Sequence, residues 1–307
     1  MSQTGVGLAQ SVLPAQARQV SLVGSQIGVG LPQLASVRQP TQLLRGTSQT
    51  GVAAGHPVAL VAEQIAQIPA ASHAGVERYF FASSACAYNT KLQEDPHCRA
   101  LKESDAYPAY AERGYGWEKL MSEIFCQEYT AERGLKTGIA RFHNVYGPWG
   151  TWDGGREKAP AAICRKVIDA KAKGDHDIEI WGDGEQTRSF MYIDDCLAGI
   201  DKIVHCEELN ATPINLGSSE MISINELVTI VEEIGGVKLN RRYNLEAPKG
   251  VAGRSSDNGM IQSVLNWEPS IRVRDGLRKT YQWIEEQYYD RRAGRRTVKD
   301  VAVGEPG

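Results

Sequence analysis

Tyr115 and Lys119 stand four residues apart in the stretch Tyr-Gly-Trp-Glu-Lys, and residues at that spacing share one face of a helix. An ammonium beside a phenol favours the phenolate, which makes Tyr115 a base near neutral pH. The same amine can reach a ribose hydroxyl. Upstream, a compact apolar run from Tyr79 to Ala82 closes on Ser83 and Ser84. A strand ending in small hydroxyl residues is how an open α/β sheet presents groups to a ligand. Cys86 follows two residues later, and on spacing alone it reads as a small buried hydrophobe. Taken singly, Lys158 reads as a solvated charge, and Arg188 and Arg254 as surface arginines. A Tyr-x-x-x-Lys pair also recurs by chance on solvated helix faces, so the surrounding sequence has to carry the reading.

The elements that must position these residues alternate in type. A helical stretch after Pro57 leads into a strand over 77–82. A helix is predicted at Tyr115–Arg133, with Leu120, Met121, Ile124, Phe125 and Tyr129 as its apolar positions and Gly134 as its stop. Strand 138–142 follows, then helix Ala159–Lys173 ended by Gly174. Residues 178–181 and 190–193 are strand-like, 194–206 helical and 214–217 a strand. Ser223 with Glu226 forms a capping box for a helix to Ile234. Residues 258–266 and 274–291 are the last helices. Strands alternating with helices predict an α/β fold with a mostly parallel sheet.

Composition narrows the function classes. Of 307 residues, Lys and Arg number 34 against 37 Asp and Glu, a net charge of −3. That balance argues against a protein built to hold nucleic acid by charge. No run of 18 apolar residues offers a membrane span. The six cysteines form no C-x-x-C pair. With no secretory signal they read as reduced intracellular thiols, in keeping with a cytoplasmic location, and no metal-ligand spacing is found.

The first 62 residues differ in texture. Their only charges are Arg18, Arg38 and Arg45, and no aromatic residue precedes Tyr79. GVGLAQ at Gly5 returns as GVGLPQ at Gly28, and SQTGV at Ser2 returns at Ser48. Neither helical nor strand periodicity stands out, so the segment reads as low-complexity and poorly packed. An acid-poor stretch with scattered Arg and Ser is also a transit-peptide composition.

Several motifs together carry a resemblance. FASSACAY (81–88), YGWEK (115–119), RFHNVYGP (141–148) and WGDGEQTRSFMYIDD (181–195) resemble the extended short-chain dehydrogenase/reductase family that acts on nucleotide sugars. That resemblance implies bound NAD, a partial Rossmann-like parallel sheet with a smaller C-terminal α/β substrate-binding region, and roles for Ser84, Tyr115 and Lys119 in exchanging a hydride and a proton with the sugar. It further implies these divisions: 1–62, a low-complexity segment; 63–150, a remnant of the NAD-binding Rossmann domain with the catalytic residues; 151–290, a nucleotide-sugar-binding part interleaved with it; and 291–307, a tail. LKESDAYPA (101–109), GGREKAPAA (154–162) and GVAGRSSDN (250–258), with the Cys of SSAC, are similar to the branch that inverts GDP-mannose at C3 and C5. In that branch a transient ketone at C4 makes the C3 and C5 protons acidic. Cys86 and Lys158 match its acid/base pair. By the same positional match Ser84, Ala85, Cys86, Asn144, Glu157, Lys158, Ala159, Lys166, Gln186, Thr187, Arg188 and Arg254 would contact the GDP-sugar. Arg188 and Arg254 suit its diphosphate, because guanidinium offers forked charge-assisted bonds. The resemblance further implies a homodimer through long helices, Tyr115–Arg133 being a candidate, and a role in supplying L-galactose for ascorbate or polysaccharide.

The chain also departs from the family pattern. A strand, a turn of the G-x-x-G-x-x-G kind and a helix should open the fold and hold the dinucleotide pyrophosphate. GVGLAQ and GVGLPQ lack the last glycine and a preceding strand, and the acidic residue expected about 20 positions later is missing. NAD is therefore expected to bind poorly, and the sheet to leave an uncovered edge. Two alternatives stand beside the epimerase: an inactive or purely binding fragment, and a 4-epimerase or 4,6-dehydratase of another nucleotide sugar.

Overall fold

The computed structural model describes residues 20–22, 66–247 and 250–295. Four parallel strands form the central sheet in the order β1 (Val20–Leu22), β2 (Arg78–Ser84), β3 (Lys136–Phe142), β8 (Pro213–Leu216). Strand β1 corrects the expectation that no strand precedes the GVGLPQ stretch at Gly28. Val-Ser-Leu is too short for its apolar–polar–apolar alternation to stand out, but it pairs along β2, from Val20 opposite Arg78 to Leu22 opposite Phe80. Backbone pairing to a neighbour overrides weak local propensity.

The run Tyr79-Phe80-Phe81-Ala82 is buried throughout because both faces of the sheet are covered. Successive side chains point to opposite faces. Phe80 and Ala82 join Ala140 and Phe142 in the larger core, which helix α4 (Ile193–His205) closes with Ile203 and Val204. Tyr79 and Phe81 join Ile139 in a second cluster under helix α1 (residues 66–73) and helix α2 (Tyr115–Arg133), where Ile68, Ala71 and Cys126 meet them. Helix α2 ends as its sequence predicts, with Gly134 left-handed and its N–H donated to Thr130 O.

Smaller sheets extend the carboxyl end of the central one. Strand β4 (Val145–Tyr146) pairs with β7 (Met191–Tyr192), and β5 (Asp177–Trp181) with β10 (Asn240–Asn244). β6 (Thr187–Ser189) lies between β9 (Met221–Ser223), antiparallel to it, and β11 (Gly253–Arg254). Helices α3 (Ala159–Lys173), α5 (Ile224–Gly235) and α7 (Val273–Arg292) pack together through Val167, Ile168, Leu227, Val231, Leu277 and Ile284. The short α6 (Gly259–Leu265) completes this part. The Ser223–Glu226 capping box forms, with Glu226 N donating to Ser223 Oγ at 3.1 Å and Ser223 N to Glu226 Oε2 at 2.7 Å. Among the described residues no helix is long and apolar enough to cross a membrane.

Candidate active site

Strand β2 ends in a short 3-10 turn, Ala85–Ala87, which the Ser84 hydroxyl caps by accepting the Cys86 N–H at 3.2 Å. The cap holds Cys86 half-buried while Ala85 is buried beneath it. Helix α2 lies against this turn. Gly116 makes that approach possible, since a Cβ there would collide with the Cys86 carbonyl oxygen.

Tyr115 and Lys119 occupy the first turns of α2 on one face, with Lys119 Nζ 5.4 Å from the Tyr115 ring centroid and 5.0 Å from that of Phe81. Lys119 is 2% exposed. Burial lowers its pKa to about 8, against the opposing pull of Glu118, Cys86 and Glu123. Near neutral pH it therefore stays mostly cationic yet close to its titration point.

A buried polar network underlies this turn. Arg141 on β3 makes a forked pair with Glu123 of α2, through Nε at 2.9 Å and Nη2 at 2.7 Å. Burial opposes the Arg141 charge, but the bonds to Glu123 outweigh it and push its pKa up. The Ser83 hydroxyl donates to the same carboxylate. On the other side Asn215 gathers Tyr88, whose OH donates to Oδ1 at 2.6 Å, and His143, whose Nε2 lies 2.8 Å from the same oxygen. Asn215 Nδ2 donates to Leu101 O and Asp257 O. Because its oxygen can only accept, His143 donates from Nε2. Burial pushes the His143 pKa down to about 3, so the ring is neutral. No functional role was expected of His143, and here it braces the turn from behind.

Of the remaining residues expected to contact the sugar, Arg254 and Arg188 lie near Cys86. Asn144, at φ 46° in the link between β3 and β4, donates from Nδ2 to Ser189 O of β6 at 3.0 Å. Glu157, Lys158 and Ala159 open α3. The Glu157 carboxylate accepts from Gly155 N at 2.7 Å and Arg165 Nη2 at 2.9 Å. Although burial raises its pKa, these donors hold it below the usual range. Lys158 is the N-cap of α3 and is exposed, with no described contact to Cys86. Lys166 Nζ donates to Glu179 O at 2.8 Å and sits 5.9 Å from the Trp181 ring centroid. Gln186 donates from Nε2 to Trp181 O, while its buried Oε1 has no described partner. The Thr187 hydroxyl donates to Pro96 O. Arg188 donates to Thr187 O and Ala252 O, and burial with the neighbouring Arg254 brings its pKa down to about 10. Arg254 reaches Cys86 Sγ from Nη1 at 3.6 Å, Gln93 Oε1 from Nε at 2.5 Å, and pairs with Glu112.

The sequence reading missed Gln93, Glu112, Gly116 and the Glu123–Arg141 pair. Only Gly116 had a local signal, a glycine inside the Tyr-x-x-x-Lys stretch. All six cysteines are unpaired, and among the described residues no cluster suits a metal ion.

Parallel strands wound in this order, with the polar site at the carboxyl ends of β2 and β3, make a Rossmann-like α/β protein. The solved UDP-glucose 4-epimerase of Thermotoga maritima shares the fold at a TM-score of 0.67 and 22% identity, covering 76% of this chain and 72% of that one. Residues 61–217 match the NAD dependent epimerase/dehydratase family, and the chain belongs to it. It is similar to GDP-mannose 3,5-epimerase of Arabidopsis thaliana, 47% identical over 220 residues, which are 72% of this chain and 56% of that protein. It is equally similar to GDP-mannose 3,5-epimerase 1 of Oryza sativa subsp. indica, 47% over 213 residues, covering 69% and 54%. The chain thus spans about half the length of the curated relatives it matches. The family and parallel α/β fold expected from the motifs are borne out.

Proposed function

We propose that this chain carries the catalytic and sugar-binding part of an NAD-dependent epimerase that inverts GDP-mannose at C3 and C5. The observation that carries this reading is the convergence of Ser84, Cys86, Tyr115 and Lys119 where the end of β2 meets the start of α2. Identity to proteins named GDP-mannose 3,5-epimerase supports the choice of substrate.

A nicotinamide dinucleotide fits Tyr115 and Lys119, because a buried lysine titrating near 8 beside a phenol suits both a ribose hydroxyl and a phenolate. The turn that would hold its pyrophosphate has no counterpart among the described residues. When bound, the nicotinamide supplies acceptance and return of the C4 hydride. Ser84 and Tyr115 polarise the C4 oxygen, and Tyr115 takes the hydroxyl proton while the Lys119 cation favours its phenolate. The ketone so formed acidifies C3 and C5. Cys86 and Lys158 then exchange protons with those carbons on opposite faces, and Arg188 meets the diphosphate. The unpaired thiols support a reducing, cytoplasmic setting. For a homodimer, α2 offers exposed Trp117 and Met121 beside half-buried Ile124 and Phe125.

Incubation with GDP-mannose and NAD in heavy water tests the reaction. Deuterium at C3 and C5, with GDP-L-galactose or GDP-L-gulose formed, is expected. Inversion at C4 alone, loss of water to a 4-keto-6-deoxy sugar, or no exchange overturns the proposal.

A further inference from the structure

Arg254 is committed on three sides to groups of its own chain. Nε donates to Gln93 Oε1, Nη2 pairs with Glu112, and Nη1 points at Cys86 Sγ. The side chain is 8% exposed. Each anchor is itself secured. Gln93 is fully buried and donates from Nε2 to Asn89 O at 3.2 Å. Glu112 donates its backbone N–H to Cys86 O at 3.0 Å. Glu112 therefore meets Cys86 twice, directly at the main chain and through Arg254 at the sulfur.

We propose that Arg254, aimed by Gln93 and Glu112, is the positioning residue of the Cys86 thiol, with Glu112 as the counter-charge that sets how strongly the guanidinium acts on the sulfur. This goes beyond the diphosphate contact expected of Arg254, and its relevance to epimerisation rests on the reading of Cys86 as a proton-transfer group. The chemistry favours arginine here. A guanidinium keeps its protons at any working pH, so it orients sulfur and stabilises negative charge on it without competing for the proton that must reach the sugar. A lysine in its place would be a second acid. The nearby Glu112 carboxylate offsets part of the positive charge that the guanidinium presents to the sulfur.

The test follows alkylation of Cys86 by iodoacetamide at fixed pH, read peptide by peptide by mass spectrometry. It needs neither sugar nor dinucleotide, so its outcome is separate from that of the heavy-water experiment. Alkylation runs through the thiolate and speeds up beside a positive charge. Arg254→Met is expected to slow Cys86 about three- to tenfold, and Arg254→Lys to recover part of the rate. Glu112→Gln is expected to speed it about threefold, but not in the Arg254→Met background. Damage to the fold would expose the thiol and raise the rate in every variant, so opposite signs are the signature of positioning. Buried Cys126 and Cys164 report folding in the same digest. A Cys86 rate unchanged or raised in folded Arg254→Met overturns the proposal. If Arg254→Met does not fold, the near-isosteric Glu112→Gln decides, and an unchanged or lowered rate overturns it.

Discussion

Gly116 presses α2 onto the carbonyl of Cys86, and that approach leaves no room for a side chain. On an exposed helix, Gly→Ala stabilises by up to about 1 kcal/mol. Here the sign reverses: Gly116→Ala is expected to cost about 1–3 kcal/mol of unfolding free energy through overpacking. Denaturant titration checks it, and a stabilised variant would contradict the close approach. Lys119 gives a second residue-scale expectation. Its folded pKa of about 8 lies below the ordinary 10.5 because burial disfavours the cation. Between those values the unfolded chain binds the proton more tightly, so its penalty on the fold, complete below about 8, is relieved as pH rises towards 10.5. Lys119→Met should remove that rise. The difference in denaturant midpoint between the two proteins across that window measures it, and parallel curves would refute the assignment. Tyr115 and Lys119 were legible from sequence because helical spacing alone puts them on one face. Glu112 and Gln93 were not, since their partner Arg254 lies 142 and 161 residues away.

At the scale of elements, α2 does two jobs. Its inner face delivers Tyr115, Lys119 and Glu123 to the site, and its outer face carries Trp117 and Met121, both 46% exposed. One turn apart, these two form a stripe that a second copy could cover. If it does, Met121→Glu should convert a dimer into a monomer in sedimentation velocity while leaving helix content intact, whereas an unchanged oligomeric state would remove α2 from the interface. The long helices were readable in the sequence from their periodicity and glycine stops, and Tyr115–Arg133 and Ala159–Lys173 match at both ends. Strands β4, β6, β9, β10 and β11 were not predicted. Each has two to five residues, too few for alternation to show, and long-range pairing decides their existence. Residues 190–193 read as a strand, yet only Met191 and Tyr192 pair, and Ile193 already opens α4.

Across the whole molecule, the parallel sheet was legible because a doubly covered strand reads as an unbroken apolar run, as at Tyr79–Phe81. The partner of its outer edge was not, because Val20–Leu22 acquires strand geometry only from β2. The segment between Ser84 and Lys119 was recognisable by its motifs. What encloses it was hidden, because the enclosing groups come from distant stretches that meet only in the folded chain. Arg254 is 168 positions beyond Cys86. On the ribosome, the sulfur must therefore wait without its guanidinium until Arg254 has emerged and docked. The pairing cannot form before those 168 further residues have been made.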